Sequence, residues 1–450
     1  MDKLPHDVLL QILSRLDDSA DVARCRVASK AFNTVFPGLR SINLRSSIEW
    51  HSWASTSPRI KPFKTVFLHL ISKLEAVESV CLVFDRWIHR ESDDFSPTDG
   101  DFAEWLPRVS GSLKSISITN RNYERQLNVL VLISAFCHNL DNLKLRFGWV
   151  SVDNLNLMPM LTSLTLEYVR MEDKCLNELN KCFPNLQVLK FLGVSGIEDP
   201  KIHLLNLKTC VWHDPWTMRS MTIITPNLIT LTIQCCNPRL IHIEAHMLSY
   251  FQFNAFSYAD EFMLKKFKNL KTLWLDPDDI CPLLSKLPII KTIENLTLDS
   301  IKKPQRERRD PAFTLGKLFT VFPNASSLCI RSGPWSDLEA CLNPEEVWEI
   351  LDGSKGLKTI CAYLMLGDPS LTFSNVARVL EQCDDLSKVS LLIHSDVTCH
   401  VYESFRSKCM VRWPWLKWRW GIWSKNREDS WITDGSSIEH HKSTKKQRVR

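Results

Sequence analysis

The sequence predicts an α/β fold in two parts: a three-helix module at the N-terminus, then a long curved solenoid of repeated strands whose convex side is irregular, helical in places and extended in others. Three observations carry this. A Leu-like residue followed by apolar residues three and five positions later recurs fourteen times. The recurrences are nearly evenly spaced along the middle of the chain. The first 36 residues follow a different rule, with apolar positions at helical rather than strand spacing.

The N-terminal residues are read first. Pro5 suits the first turn of a helix and Asp7 complements the positive end of its dipole. Leu9, Ile12, Leu13 and Leu16 follow at i, i+3, i+4 and i+7, with Val8 beside the stripe. Asp18 and Ser19 can cap a second helix running through Val22 and Cys25, and Ser29 a third running through Phe32 and Val35. A module this small exposes more apolar surface than its helices can cover among themselves, so the surplus must meet the adjoining repeats or a partner.

The repeats begin weakly with Leu39/Ile42/Leu44 and Val77/Val80/Leu82. They continue as Leu113/Ile116/Ile118, Leu140/Leu143/Leu145, Leu161/Leu164/Leu166, Leu186/Leu189/Phe191, Leu207/Cys210/Trp212 and Leu228/Leu231/Ile233. Leu248/Phe251/Phe253, Leu270/Leu273/Leu275, Ile293/Leu296/Leu298, Ala325/Leu328/Ile330, Leu357/Ile360/Ala362 and Leu386/Val389/Leu391 complete the series. Start-to-start spacing is 20 to 25 residues between Leu140 and Ile293 and 27 to 38 on either side. That is the period of a leucine-rich repeat, loosened at both ends. One repeat cannot cover its own inward side chains, so stacking buries them and leaves the other side of the sheet for binding.

Between the strands, 125–140, 172–186, 311–325, 344–357 and 373–386 carry apolar residues at helical spacing; Leu176, Leu179 and Phe183 are one such stripe. From Leu207 to Ile293 the connections are short and rich in Thr, Ile and Phe, which predicts extended or single-turn returns. Near the C-terminus Trp413, Trp415, Trp418, Trp420 and Trp423 crowd together with Arg412, Lys417 and Arg419, at spacings suited to a strand with one aromatic face closing the end of the stack. The expected boundaries are 1–45 for the helical module, 46–424 for the repeats with their Trp-rich cap, and 425–450 for a basic, disordered tail.

The N-terminal residues have a further property. Leu4-Pro5, Val8-Leu9, Ile12-Leu13 with Leu16, then Asp21-Val22-Ala23-Arg24-Cys25-Arg26-Val27-Ala28-Ser29-Lys30-Ala31-Phe32 occur in the order of an F-box. With the repeats behind them, the chain resembles a plant-type F-box/LRR protein. Ala28 stands where a larger residue or Cys is common in that family, and Phe32 where many members have Trp. The resemblance implies a non-catalytic adaptor. Its F-box would dock the adaptor subunit of an SCF-type ubiquitin ligase, and through it the cullin, while the repeats hold a protein substrate for ubiquitination. It assigns docking to Leu4, Pro5, Val8, Leu9, Ile12, Leu13, Leu16, Val22, Cys25, Val27, Ser29, Lys30 and Phe32. The substrate itself carries no readable code. A scaffold uncoupled from a ligase is the alternative, and a nucleic-acid-binding protein a more distant one.

Composition narrows the field. Met1-Asp2-Lys3 leads into an amphipathic helix rather than a signal peptide, and no apolar run approaches the length of a membrane span, so the expected location is the nucleus or the cytoplasm. Fifteen cysteines without a C-x-x-C pair read as reduced structural thiols: Cys81, Cys210 and Cys329 lie within strand patterns, and Cys137, Cys182 and Cys383 just before a repeat's first Leu. Asn295-Leu296-Thr297 and Asn324-Ala325-Ser326 match glycosylation sequons by chance. His242-Ile243-Glu244 has the H-x-E of zinc deaminases without its cysteine partners, and His203 and His213 stand alone, so neither catalysis nor a metal is expected. With 13 glycines and no phosphate-cradling loop, no cofactor is expected either. A net charge of +5 is low for a nucleic-acid binder of 450 residues. Basic residues gather locally at Lys302, Lys303, Arg306, Arg308 and Arg309, and in the tail at Lys442, Lys445, Lys446, Arg448 and Arg450.

Overall fold

In a computed structural model the chain is described for residues 4–46, 63–84, 99–120, 129–152, 154–236, 238–255, 261–265, 267–277, 280–300, 314–341, 356–425 and 427–432. The N-terminal module is α1 (His6–Ser14), α2 (Ser19–Ala28) and α3 (Lys30–Val35), closed by a single 3-10 turn at Phe36–Gly38. Next, β1 (Ser41–Ser46), α4 (Phe63–Ile71), β2 (Ser79–Phe84), α5 (Asp99–Val109), β3 (Ser115–Asn120), α6 (Val129–Phe136), β4 (Asn142–Trp149), β5 (Ser163–Arg170), α7 (Asp173–Cys182) and β6 (Val188–Leu192) mix strand with helix. The middle is all strand: β7 (Lys201–Ile202), β8 (Thr209–Thr217), β9 (Ser220–Ile224), β10 (Thr230–Cys236), β11 (Leu240–Glu244), β12 (Tyr250–Ala255), β13 (Glu261–Lys265) and β14 (Thr272–Pro277). Helices then return as α8 (Ile280–Lys286), α9 (Leu315–Val321), α10 (Ser332–Cys341), α11 (Pro369–Glu381) and α12 (Cys399–Arg412). They are interleaved with β15 (Asn295–Leu298), β16 (Ser327–Ile330), β17 (Thr359–Leu364) and β18 (Lys388–His394), and β19 (Lys417–Ser424) and β20 (Arg427–Trp431) follow.

The chain divides into two units, residues 1–248 with 259–268, and residues 249–258 with 269–450. In the first unit β1, β2, β3, β4, β5, β6, β8 and β10 lie side by side and parallel. The register pairs Ile42, Val80, Ile116, Leu143, Leu164, Leu189, Cys210 and Leu231 in one continuous row, so each repeat places its second triplet residue beside that of its neighbour. The second unit does the same with Phe251, Leu273, Leu296, Leu328, Ile360, Val389 and Trp418. Every triplet residue is 8% exposed or less. Period-2 alternation supplies the cause, because one face of each strand is apolar and finds cover only in the next repeat. Trp212 is wholly buried edge-on against Phe191, with ring centroids 5.1 Å apart.

The returns follow the expectation in outline. α6, α7 and α9 fall inside the helical stretches read from the sequence, and α11 begins four residues before Phe373 because Asp368 caps it, accepting hydrogen bonds from Ser370 N at 2.9 Å and Leu371 N at 3.1 Å. The stretch 344–357 lies mostly outside the described residues. In the middle the returns are extended, and β13, β11, β9 and β7 form a second parallel sheet of their own within the first unit. The helices α4, α5, α8, α10 and α12 fall outside the stretches read as helical, and α8, seven residues long, corrects the expectation of only extended or single-turn returns before Ile293.

An asparagine ladder ties repeats together. The side-chain amides of Asn139, Asn185, Asn206, Asn227 and Asn324 donate to the carbonyl oxygens of Gly111, Pro159, Pro184, Leu205 and Lys291, at 3.1, 2.9, 2.9, 2.9 and 2.7 Å. Each acceptor belongs to the preceding repeat. The Asn324 sequon is thus a packing position, its amide already engaged.

Two expectations need correction at the C-terminus. The tryptophans do not share one strand face: α12 runs to Arg412, Trp413 closes it, Trp415 is exposed in the turn, Trp418 and Trp420 lie on the inward side of β19, and Trp423 lies on the other. Trp423 Nε1 donates to Leu364 O at 3.2 Å and its ring packs with Tyr363 and Leu392. The ordered fold also passes Ser424, because β20 pairs antiparallel with β19 inside the stretch read as tail. A β-strand needs a partner, not a triplet, and Arg427–Trp431 has no triplet to announce it.

Candidate protein-interaction surfaces

The N-terminal module packs α1 and α2 against α3, and its start is tied to the first repeat strand. Asp18 caps α2 by accepting from Ala20 N at 2.8 Å, while Ser19 Oγ accepts from Asn43 N of β1 at 3.1 Å and Asn43 Nδ2 donates to Asp17 O. Arg26 lies over the Phe36 ring at 3.7 Å and donates from Nε to Asn33 Oδ1 at 3.2 Å. Pro5 stands at the cap of α1, one residue before the turn expected for it, and its carbonyl accepts from Val8 N and Leu9 N, each at 3.1 Å. Ser29 precedes α3 but makes no side-chain cap, and its Oγ is buried without a hydrogen bond.

The thirteen residues singled out from the sequence divide into two groups. Leu9, Leu13, Val22 and Phe32 are buried and fill the interior of the module. Val8 and Ile12, each 38% exposed, lie one helical turn apart along one side of α1, Leu4 just ahead of the helix is 41% exposed, and Val27 is 91% exposed. Pro5 and Lys30 are exposed, and Leu16, Cys25 and Ser29 are half-buried. Residues four apart on a helix stack on one face, whereas Val8 and Leu9 are separated by 100°. The Val8-Ile12 row therefore faces out while the Leu9-Leu13 row faces in. Sequence alone reads the four as one broad stripe.

The sheets offer the second surface, on the side opposite the buried triplets. In the second unit Arg331 lies over Tyr363 at 4.4 Å and over Trp274 at 5.5 Å, with Asp299 Oδ2 3.7 Å from its Nε. Tyr363 donates its hydroxyl to Asp429 Oδ2 at 2.6 Å, so β20 is pinned across this side. Burial raises the Asp299 carboxyl above its ordinary value, opposed by Ser300 N–H and Arg331. Cys329 and Cys361 face one another in register here. Cys329 here, and Cys81 at the outward position of β2 in the first unit, are half-buried, whereas Cys137, Cys182, Cys210 and Cys383 are buried. Burial drives the Cys210 thiol up to about 12.

The remaining candidates are dispersed. His242 Nε2 is 3.1 Å from Glu244 Oε1, which also meets Lys265 Nζ at 3.7 Å, an ion cluster on the small sheet. His203 is exposed just after β7, and His213 lies apart from it on β8, where partial burial of its ring pushes its pKa down. Among the described residues no three His, Cys, Asp or Glu side chains are placed to hold a metal ion, and no helix is long and apolar enough to cross a membrane. The basic clusters at Lys302, Lys303, Arg306, Arg308 and Arg309 and at Lys442, Lys445, Lys446, Arg448 and Arg450 lie outside the described residues.

An F-box-like family pattern matches residues 1–37, the module just described. F-box/LRR-repeat protein At4g29420 of Arabidopsis thaliana is 33% identical over 448 residues, covering 96% of this chain and 100% of that protein. F-box protein At1g10780 of the same plant is 25% identical over 249 residues, 53% of this chain and 54% of that one. A solved complex of Rad7 and Elc1 from yeast aligns with 86% of this chain and 77% of that chain at 12% identity, with a TM-score of 0.26. On the full-length identity to a plant relative, and with an N-terminal F-box-like module ahead of stacked repeats, this chain belongs to the plant F-box/LRR-repeat family.

Proposed function

We propose that the chain is the substrate-recognition subunit of an SCF-type cullin–RING ubiquitin ligase, acting in the nucleus or the cytoplasm. The observation that carries this reading is the exposed row Leu4, Val8 and Ile12 on a module whose interior is already filled by Leu9, Leu13, Val22 and Phe32. Apolar side chains held in water on a small, well-packed module suit a partner's surface better than an end cap, which favours a polar outer face. In this reading α1 docks the adaptor subunit, with Pro5, Leu16, Val27 and Lys30 at the edge of the contact. Leu9, Leu13, Val22 and Phe32 act from inside by holding the face in shape.

The outward sides of the repeat sheets would hold the substrate. No side chain of this chain need take part in bond making. Its contribution is to turn a bimolecular encounter into a local one, raising the effective concentration of substrate lysines near the charged conjugating enzyme. The test is co-purification of the adaptor subunit with the full chain, beside Ile12→Asp. Capture by the wild type and its loss in the folded variant support the ligase reading. A folded wild type that captures no adaptor leaves an interaction scaffold instead.

A further inference from the structure

The strands β4 and β5 contain an irregularity that the repeat pattern does not require. Along β5 the inward positions are Leu164 and Leu166, and Tyr168 should be next, yet Val169 is buried and Tyr168 is 52% exposed. The parity slips because Tyr168 has φ of 51°, and Phe147 on β4 has φ of 60°, the two lying between the Arg146–Glu167 and Gly148–Val169 register pairs. Left-handed backbone is rare for bulky residues and persists only when its surroundings enforce it. Each left-handed residue turns an aromatic ring out of the core while the register between the two strands stays the same on both sides.

The two rings form a stacked pair, with centroids 5.3 Å apart and planes 16° from parallel. Tyr168 also lies directly over Gly193, where a Cβ would come within 2.7 Å of the ring and where φ is +66°. Glycine is therefore required at this place. Arg146 lies 4.9 Å from the Phe147 centroid and 5.7 Å from that of Tyr168. Glu167 holds the group together, its Oε1 2.7 Å from Lys144 Nζ and its Oε2 3.2 Å from Arg146 Nε. Lys190, one strand further on and beside Thr165, is exposed. Lys144, Arg146 and Lys190 outnumber Glu167 on this face, which leaves the patch positive.

We propose that this rim, Phe147 and Tyr168 with Lys144, Arg146 and Lys190, is a preorganised recognition platform for an acidic peptide segment of the substrate protein. It rests on the reading of the repeats as the substrate-binding part. Charge complementarity selects the occupant: the surplus of cations, Lys144, Arg146 and Lys190 against Glu167, matches carboxylates, and the Tyr168 hydroxyl offers a further donor at the exposed edge. Enforced left-handed backbone fixes the rings before the partner arrives, so little ordering remains to be done on binding.

The test uses the full chain, co-expressed with the adaptor subunit, and fluorescence anisotropy of a labelled alternating Glu-Ala peptide. A matched Lys-Ala peptide and a single-stranded RNA serve as competitors. The Glu-Ala peptide should bind with a salt-dependent affinity that the Lys-Ala peptide does not share. Arg146→Glu and Lys190→Glu should each weaken binding about tenfold, and Tyr168→Asn, which keeps a residue tolerant of left-handed backbone, should weaken it by about fivefold. Because Lys190 is exposed, its variant separates recognition from folding. Equal binding of the basic peptide, indifference to both charge reversals, or preference for the RNA overturns the proposal. Adaptor co-purification in the same preparation keeps the two readings apart: adaptor bound with no peptide binding defeats only the platform, and peptide bound without adaptor defeats only the ligase role.

Discussion

Ile12 and Leu13 are adjacent in sequence and opposite in consequence. Full burial of an isoleucine side chain is worth roughly 1.5–3 kcal/mol. Ile12 is 38% exposed, so docking can recover about 0.6–1.1 kcal/mol from it by covering what water still touches. Leu4 and Val8, at 41% and 38%, offer similar amounts, and removing all three side chains should cost about 2–3 kcal/mol of adaptor affinity, roughly 30- to 150-fold in Kd. The larger part of each side chain is already buried in the free module, so the triple variant also loses some stability, partly offset at Val8 and Ile12 by the better helix propensity of alanine, and circular dichroism must show it folded before its binding is read. Leu13 is 0% exposed, and Leu13→Ala should destabilise the module by about 3 kcal/mol or more, enough to loosen a unit of this size. The assay pairs calorimetric titration of the adaptor with limited proteolysis of 1–45. The expected pattern is a folded triple variant that binds weakly, against a Leu13→Ala chain cut near its N-terminus. A triple variant binding at wild-type strength would refute the assignment of the outward row, and an intact, fully binding Leu13→Ala chain would refute that of the inward one.

Three further outcomes follow from the structure. Asp18→Ala should lower stability of the module by about 1 kcal/mol, since it removes the acceptor of the Ala20 amide; hydrogen exchange of α2 reads this directly. Asn185→Ala and Asn227→Ala should each cost about 1 kcal/mol in urea denaturation by breaking one rung of the ladder, and no change at both positions would remove the ladder's structural role. Burial raises Cys137, Cys210 and Cys409 to about 12 from 9.0, so folding favours the neutral thiol. Their contribution is whole below pH 9 and lost as pH rises through 12, and urea midpoints should fall between about pH 8 and about pH 10.5.

The triplets show how much was legible. All fourteen land on strands, even the weak Leu39/Ile42/Leu44 and Val77/Val80/Leu82, because burial of a whole sheet face imposes a period that sequence must obey. Extended returns were legible for the same reason as far as β13, but the helix Ile280–Lys286 before Ile293 was not. The division of Val8, Leu9, Ile12 and Leu13 was not, since consecutive apolar residues describe a wide stripe and only the packing of α3 decides which row is covered. Nor was the turning of Phe147 and Tyr168, because left-handed backbone is signalled by glycine and here aromatic residues occupy it. The glycines that permit it, Gly148 and Gly193, sit nearby without stating what they serve. A recurring Asn just before the repeat's first Leu was visible and could have announced the ladder. The tryptophans misled because pairwise spacing looked like one strand, although a helix end and a turn fall among them.

The small second sheet sets a rule for how this chain can change length. In the first unit β8 and β10 begin 21 residues apart (230 − 209), β9 and β11 begin 20 apart (240 − 220), and β11 and β13 begin 21 apart (261 − 240). Both sheets advance by one strand per repeat, like two rails laid at a common gauge. An insertion of one or two residues in either rail would shift its register while the other held, turning core side chains outward. Loops at the strand ends can absorb a residue or so, as the 20- and 21-residue intervals show, but within the strands between Thr209 and Lys265 the stack keeps both registers only if it grows or shrinks by a whole repeat. The helical stretches on either side, with one rail only, are free of that gauge, which accounts for their looser spacing.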